Sequence, residues 1–223
     1  MHRLAQPAIL YFGTPVVLVS TLNEDGSPNV APFSSAWWLG QRCVLGFGAR
    51  SQTPQNLRRT GECVINLPSV EQVAHVDRLA RLTGSDPMPP HKVAMGYRFE
   101  RDKLGAAGLT PVPSFDVAPP RIAECPVQLE ARLRAVLPLA ADDPAQAGRL
   151  VALEVEIVRV HLEEGILMAG HEDRVDPLRW RPLIMSFCHF FGLGDRVHTS
   201  RLAEIPESAY RPRPAAANVE NAA

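Results

Sequence analysis

Hydrophobic and polar positions alternate with period two over much of the chain, follow a helical period in two places, and keep neither rhythm across one long stretch. The first apolar run, Val16-Val17-Leu18-Val19, passes through Ser20 and Thr21 into Asn23-Glu24-Asp25-Gly26-Ser27-Pro28. β-Branched residues ahead of an Asp-Gly pair predict a hairpin, because glycine takes a positive φ at little steric cost. Its return strand is expected over 29–34, a third strand over 42–49 and a fourth over 62–67. A short helix over 54–60 is expected between the last two, opening at Pro54, a residue suited to the first helical position. Ser69-Val70-Glu71-Gln72 has the form of a capping box, and Val70, Val73, Val76, Leu79 and Leu82 follow at helical spacing.

The rhythm lapses over 83–120, a stretch punctuated by Pro87, Pro89, Pro90, Pro111, Pro113, Pro119 and Pro120. Long irregular connections are commonly lids or binding loops. This one is expected to be an insertion over a site, with His91, Lys92 and Lys103 solvated within it. The clearest β signal follows, where Val127, Leu129, Ala131, Leu133 and Ala135 alternate with polar residues. A second long strand carries Val151, Leu153, Val155 and Ile157, after which the phase shifts to Val158, Val160 and Leu162, predicting a bulge or a barrel corner. A short strand over 165–169 and a turn of helix over 176–180 are expected next. The aromatic segment 183–193 reads as core or subunit interface, and the Pro- and Ala-rich 206–223 as a flexible tail. The sum is a mainly β, antiparallel barrel with helical additions, in a single domain over 1–205.

Composition narrows the chemistry. A hydrophobic content of 46% with 21% charged residues is ordinary for a globular protein. A net charge of −1 gives no broad attraction to nucleic acid or anionic membrane. No stretch approaches the roughly 18 apolar residues of a membrane span, and the first residues lack a signal-peptide core. A cytoplasmic protein is expected. Cys43, Cys63, Cys125 and Cys188 form no C-x-x-C pair and are expected to be buried thiols. No G-x-S-x-G elbow is present, and His161, His171, His189 and His198 lack compact ligand spacing, so neither a nucleophile nor a metal site is predicted. Any hard chemical step then falls to a cofactor, and no catalytic residue is assigned.

One loop suits an anion. Arg50 offers a fixed charge, Ser51 and Thr53 offer hydroxyls, and Pro54 opens a helix whose first N–H groups lack intrahelical partners. Alone, the loop reads more readily as a surface helix capped by Thr53, with Arg50 solvated. Gly46-Phe47-Gly48 before it resembles the start of a dinucleotide fingerprint. It lacks the third glycine and the βαβ setting, so close backbone approach, as to a flat ligand, is the better reading of these glycines.

Several motifs together resemble the flavin reductase-like proteins of the FMN-binding split-barrel superfamily, including flavoredoxin-type members. They are Pro15-Val16-Val17-Leu18-Val19-Ser20-Thr21 with Asp25-Gly26, Asn29-Val30-Ala31-Pro32-Phe33-Ser34, and Arg50-Ser51-Gln52-Thr53-Pro54-Gln55-Asn56. Asp102-Lys103-Leu104, Gly108-Leu109-Thr110, Ala118-Pro119-Pro120-Arg121-Ile122 and Val175-Asp176-Pro177 follow in the family's order. The resemblance implies an antiparallel, Greek-key-like split barrel with a few peripheral helices. It also implies a flavin, FMN ahead of FAD, with NAD(P)H as co-substrate. Ala31, Pro32, Phe33, Ser34 and Ser35 would line the ring, and Arg50, Ser51, Gln52 and Thr53, with Asn56 near them, the phosphate. It further implies a homodimer with flavin near the interface, where Trp37 and Trp38 are candidates, and an electron-acceptor protein or monooxygenase as partner. Where many relatives carry Arg and Tyr near the end, this chain has Met185 and Phe190 beside His189. Met185, His189 and His161 are therefore the expected substrate-facing groups. The readings left open are NAD(P)H-dependent flavin reductase, non-enzymatic flavin carrier, and flavin enzyme acting on an organic substrate.

Overall fold

Every position of Val16-Val17-Leu18-Val19 is apolar because the strand it forms is covered on both faces. Side chains alternate across a strand, so Val17 and Val19 join a core with Leu45, Ile65, Leu153 and Val155, while Val16 and Leu18 join another with Val30, Val76, Leu79 and Ile122. The structure, a computed structural model, describes residues 1–210.

Strands β1 (Phe12–Pro15), β2 (Val17–Leu22), β3 (Pro28–Phe33), β4 (Ala36–Leu39) and β5 (Arg42–Gly48) come first, followed by helix α1 (Gln52–Thr60) and strand β6 (Glu62–Leu67). Next come α2 (Val73–Leu79), β7 (Leu82–Thr83), α3 (Pro90–Ala94), β8 (Arg98–Phe99), α4 (Lys103–Ala107), β9 (Pro111–Val112) and β10 (Arg121–Ile122). Two long strands, β11 (Val127–Leu139) and β12 (Leu150–Leu162), precede the hairpin of β13 (Ile184–Ser186) and β14 (His189–Phe191). Seven of the strands form one sheet in the order β3-β2-β6-β11-β12-β5-β4, with every neighbouring pair antiparallel. One face encloses the first core, and α2, α4 and the segment around Ile122 cover the second.

The predicted hairpin forms, with Gly26 at φ 80° in its turn and Val19 opposite Ala31. The phase shift in β12 is a bulge, since Glu130 faces Arg159 and Ala131 faces Ile157, leaving Val158 unmatched. Ser69 and Gln72 make the predicted capping box.

Several expectations need correction. Helix α1 opens at Gln52 with Ser51 as N-cap, not at Pro54, because Ser51 is the last residue held extended, at φ −73° and ψ 154°. Strand β4 was not foreseen, since four residues are too few to show a period. Over 165–169 there is a 3-10 turn, Glu164–Ile166, and one isolated bridge, Leu167 to Val175, in place of a strand. The stretch 83–120 is more ordered than its pattern suggested: α4 is capped by the Asp102 carboxylate, which accepts from the Gly105 N–H at 2.9 Å, and closes at Gly108 with φ 68°. Cys43, Cys63 and Cys125 are buried, but Cys188 is exposed in the β13–β14 turn at φ 65°. Glu207–Tyr210 forms a 3-10 turn, and the rest of the expected tail, 211–223, lies outside the described residues. Among the described residues no helix is long and apolar enough to cross a membrane.

Candidate functional site

The placement of α1 depends on amide side chains buried beneath it. Asn29 on β3 donates to Thr21 Oγ1 at 3.3 Å and to Thr53 Oγ1 at 3.2 Å. Asn56 donates to Thr21 Oγ1 at 3.1 Å and to Asn23 Oδ1 at 2.9 Å, and accepts from Gln52 Nε2 at 2.9 Å. Thr21, Asn29, Thr53 and Asn56 are each at most 2% exposed, so the bonds form where water does not compete and where an unpaired group is costly. They pin the first turn of α1 against the β2–β3 hairpin. Thr53 is turned inward, and the Asn56 side chain is fully occupied in positioning the helix.

The end of the helix so placed is open to an anion. Ser51 makes no side-chain cap hydrogen bond, and the first turn holds no acidic residue, leaving the dipole's positive end and its unpaired N–H groups uncompensated. Ala31, Pro32 and Phe33 of β3 share a cleft of about 150 Å³ with Ser51, Gln52 and Thr53. Its far wall comes from the 83–120 stretch, through Thr83, Lys92, Tyr97 and Lys103, so that stretch does reach the candidate site. Lys92 donates to Thr83 Oγ1 at 2.9 Å. Arg50 and Ser51 border an adjoining chamber that Lys92 also lines.

Lys103 is the least expected member. Expected to be solvated, it is only 3% exposed. Burial, with a smaller contribution from Lys92, pushes its pKa down from 10.5 to about 7. Burial lowers Lys92 as well. The sequence signal for Lys103 was its place in the Asp102-Lys103-Leu104 motif, one of those that carry the family resemblance.

Ser34 and Ser35 face elsewhere. They line an apolar cavity of about 790 Å³ with Tyr11, Trp37, Leu39, Val44 and Leu137. Gly46 is explained there without a ligand: a Cβ on it would stand 3.0 Å from the Ser35 Cβ, and its N–H donates to the Ser35 carbonyl at 2.8 Å. Trp37 is exposed, whereas Trp38 is half-buried against the first core.

The three expected substrate-facing groups do not converge on the cleft. His161 Nε2 lies 2.7 Å from Glu130 Oε1 and stacks on Phe115, bordering a separate pocket with Arg121 and Gln128. Burial would raise the Glu130 carboxyl, but N–H groups of Phe115 and Asp116, with His161, outweigh it and hold the pKa low. His189 is exposed opposite Ser186, and Met185 packs on the second core. Among the described residues no His, Cys, Asp and Glu cluster could hold a metal.

Lys103 supplies a pH signature. Its folded pKa is depressed, so between about pH 7 and pH 10.5 the unfolded chain binds more protons and stability rises with pH. Lys103→Met is expected to stabilise the ligand-free protein at pH 7 by up to a few kcal/mol and to flatten that rise. Urea unfolding across pH 7 to 10 measures both, and an unchanged slope would show that Lys103 is solvated.

A flavin reductase like domain matches residues 9–189. The uncharacterized protein YdfE of Bacillus subtilis (strain 168) is 40% identical over 192 residues, covering 86% of this chain and 89% of its own. Among solved structures, flavoredoxin of Desulfovibrio vulgaris (Miyazaki F) superimposes with a TM-score of 0.71 at 21% identity, covering 92% of this chain and 100% of that one. Nitrilotriacetate monooxygenase component B from Bacillus cereus gives 0.68 at 20% identity, covering 84% and 88%. The seven-stranded antiparallel sheet with its few helices thus has the split-barrel fold, and the chain belongs to the flavin reductase-like family.

Proposed function

We propose that this protein is an FMN-binding oxidoreductase, an NAD(P)H-dependent flavin reductase that hands electrons to an acceptor. The observation carrying the proposal is the carboxylate-free cleft that joins Ala31, Pro32 and Phe33 to the open N-terminus of α1, with Lys92 and Lys103 in its wall. The chemistry of the residues fits the group, which needs the adjoining chamber as well as the cleft. A phosphate has Arg50, the Ser51 hydroxyl and the first N–H groups of α1 to meet it, and a flat ring has Pro32, Phe33 and the peptide edges of β3. The Asn29 Oδ1 atom, buried without a partner, lies against Gly84, where a Cβ would come within 2.6 Å of it. Any side chain at 84 would therefore disturb the floor of the cleft.

When bound, FMN supplies acceptance of hydride from a nicotinamide and release of electrons to an acceptor. The chain's own residues bind and orient. Arg50 and Ser51 would hold the phosphate end, Thr53 and Asn56 hold the helix that presents it, and Lys92 and Lys103 would add positive charge to the wall of the cleft. The acceptor is proposed to be a partner protein. The superimposable component B of nitrilotriacetate monooxygenase is, by its description, one component of a larger enzyme, which supports that reading.

Dimerisation belongs to the same proposal. Trp37, Leu39, Leu137 and Leu139 are 56%, 75%, 46% and 41% exposed around the apolar cavity, a patch of the kind monomers seldom leave open. A second copy covering it would bring the partner against Ser34 and Ser35, next to the ring-lining segment. Sedimentation is expected to show a dimer for the native chain and a monomer for Trp37→Glu; a native monomer at micromolar concentration would refute the interface.

Rapid mixing tests the reaction. Anaerobic mixing of the FMN-loaded protein with NADH and with NADPH is expected to bleach the flavin's visible band with at least one donor. No bleaching with either would remove the reductase assignment and leave a flavin carrier.

A further inference from the structure

Past β14 the chain buries nothing of its own. Gly192 passes so close to Val70 that a Cβ on it would stand 2.9 Å from the Val70 Cγ1, and from there every residue to Tyr210 is exposed. This arm nevertheless has a set shape. The Ser200 hydroxyl accepts from the Leu202 N–H at 3.1 Å and caps a 3-10 turn, Arg201–Glu204, and the Ile205 N–H donates to the Leu202 carbonyl at 3.1 Å. Among the described residues its one polar tie to the body is Glu207 to Arg174, at 2.8 Å, an exposed ion pair of a kind that contributes little. Leu193, Val197, Leu202, Ile205 and Tyr210 all face water. Ordering such a segment costs conformational entropy, and its apolar side chains offset that cost only when another surface covers them.

The cavity of about 790 Å³ beside Ser34 and Ser35 has the opposite shape and the same polarity. Its walls come from five strands, β1, β4, β5, β11 and β12. A rounded protein surface laid over such a hollow leaves a void that forfeits packing contacts, whereas a protruding apolar segment fills it. The arm protrudes. With its ends held at Gly192 and Glu207, it stands clear of its own body and leaves its own cavity open. The rim of the cavity carries Arg42 and Glu154, 3.6 Å apart, and Leu202 lies between Arg201 and Glu204 in sequence, so each sign on the arm has its opposite on the rim. In a two-fold dimer such a contact is made twice, arm to cavity and cavity to arm.

We infer that the 193–210 arm of each copy seats in the apolar cavity of the other, so that the chamber beside the ring-lining segment is completed by a second chain. The inference rests on the dimer reading above and goes beyond it in naming the segment that covers the cavity. Leu202 and Ile205, which the 3-10 turn holds in place, are its anchors, and Trp37 lies beneath them.

Fluorine NMR of the full-length chain labelled with 5-fluorotryptophan, with the Trp37 resonance assigned by Trp37→Phe, reads the seat, and sedimentation equilibrium reads the assembly. The native chain is expected to be a dimer whose Trp37 resonance is shielded from solvent, unchanged between H2O and D2O. Leu202→Glu/Ile205→Glu is expected to raise the dimer dissociation constant about tenfold or more and to expose Trp37. Excess unlabelled native chain added to the labelled variant, in a mixture that sediments as a dimer, is expected to restore the shielding, because the intact arm then comes from the other copy. Equal dimer affinity in the two proteins, or a Trp37 resonance that the variant leaves unchanged, would overturn the inference while the dimer reading stands. Shielding lost in the variant and not restored by native chain would also overturn it, placing the arm on its own cavity. A native monomer would instead remove the dimer reading, and the inference with it.

Discussion

The buried contact between Asn29 and Thr53, extended through Thr21 and Asn56, is the constraint on which the candidate site depends. A nine-residue helix is too short to be stable alone, and its direction must come from tertiary contacts. Apolar packing of Leu57 into the first core supplies the driving force but little angular precision. The amides supply the angle, because hydrogen bonds are directional and a buried amide left unpaired is costly. They pin the helix where its N-terminus meets the β3 segment.

Around that terminus, charge is arranged against the protein's own stability. Lys103 is buried, and desolvation disfavours its ammonium. Arg50 and Arg149, whose guanidinium groups have no carboxylate partner among the described residues, add positive charge on the open side. Such a site is less stable empty than filled, and an anion that enters recovers the electrostatic cost. Lys92, shared by the inner cleft and the outer chamber, makes the two electrostatically continuous.

The sheet was largely legible in the sequence because its strands are long or punctuated. The Asp25-Gly26 turn, the alternation in β11 and the phase slip at Val158 each translate directly into backbone geometry. Helices α3 and α4 were not legible, since five residues span little more than one turn and show no period. At the site, Arg50 and Ser51 were recognisable from residue type beside a helix start. The N-cap was misplaced from Ser51 to the Thr53-Pro54 pair, because Pro at N3 and Pro at N1 look alike until the preceding φ and ψ are known. Lys103 was missed for a different reason. Its burial depends on Leu104 and Ala107 packing into the second core, a long-range outcome that no local pattern carries. The grouping of His161, His189 and Met185 came from resemblance alone, and β12, β13 and β14 carry them to other surfaces.

The central claim is that a phosphate sits at the N-terminus of α1 among unpaired cations, and the phosphorus resonance of bound FMN tests it most directly. A free phosphate monoester loses its second proton at about pH 6. Held by Arg50, Ser51 and the helix N–H groups, the bound phosphate is predicted to stay dianionic, with its shift unchanged from about pH 5.5 to pH 8. A bound resonance that titrates at the free value would place the phosphate in solvent and contradict the account.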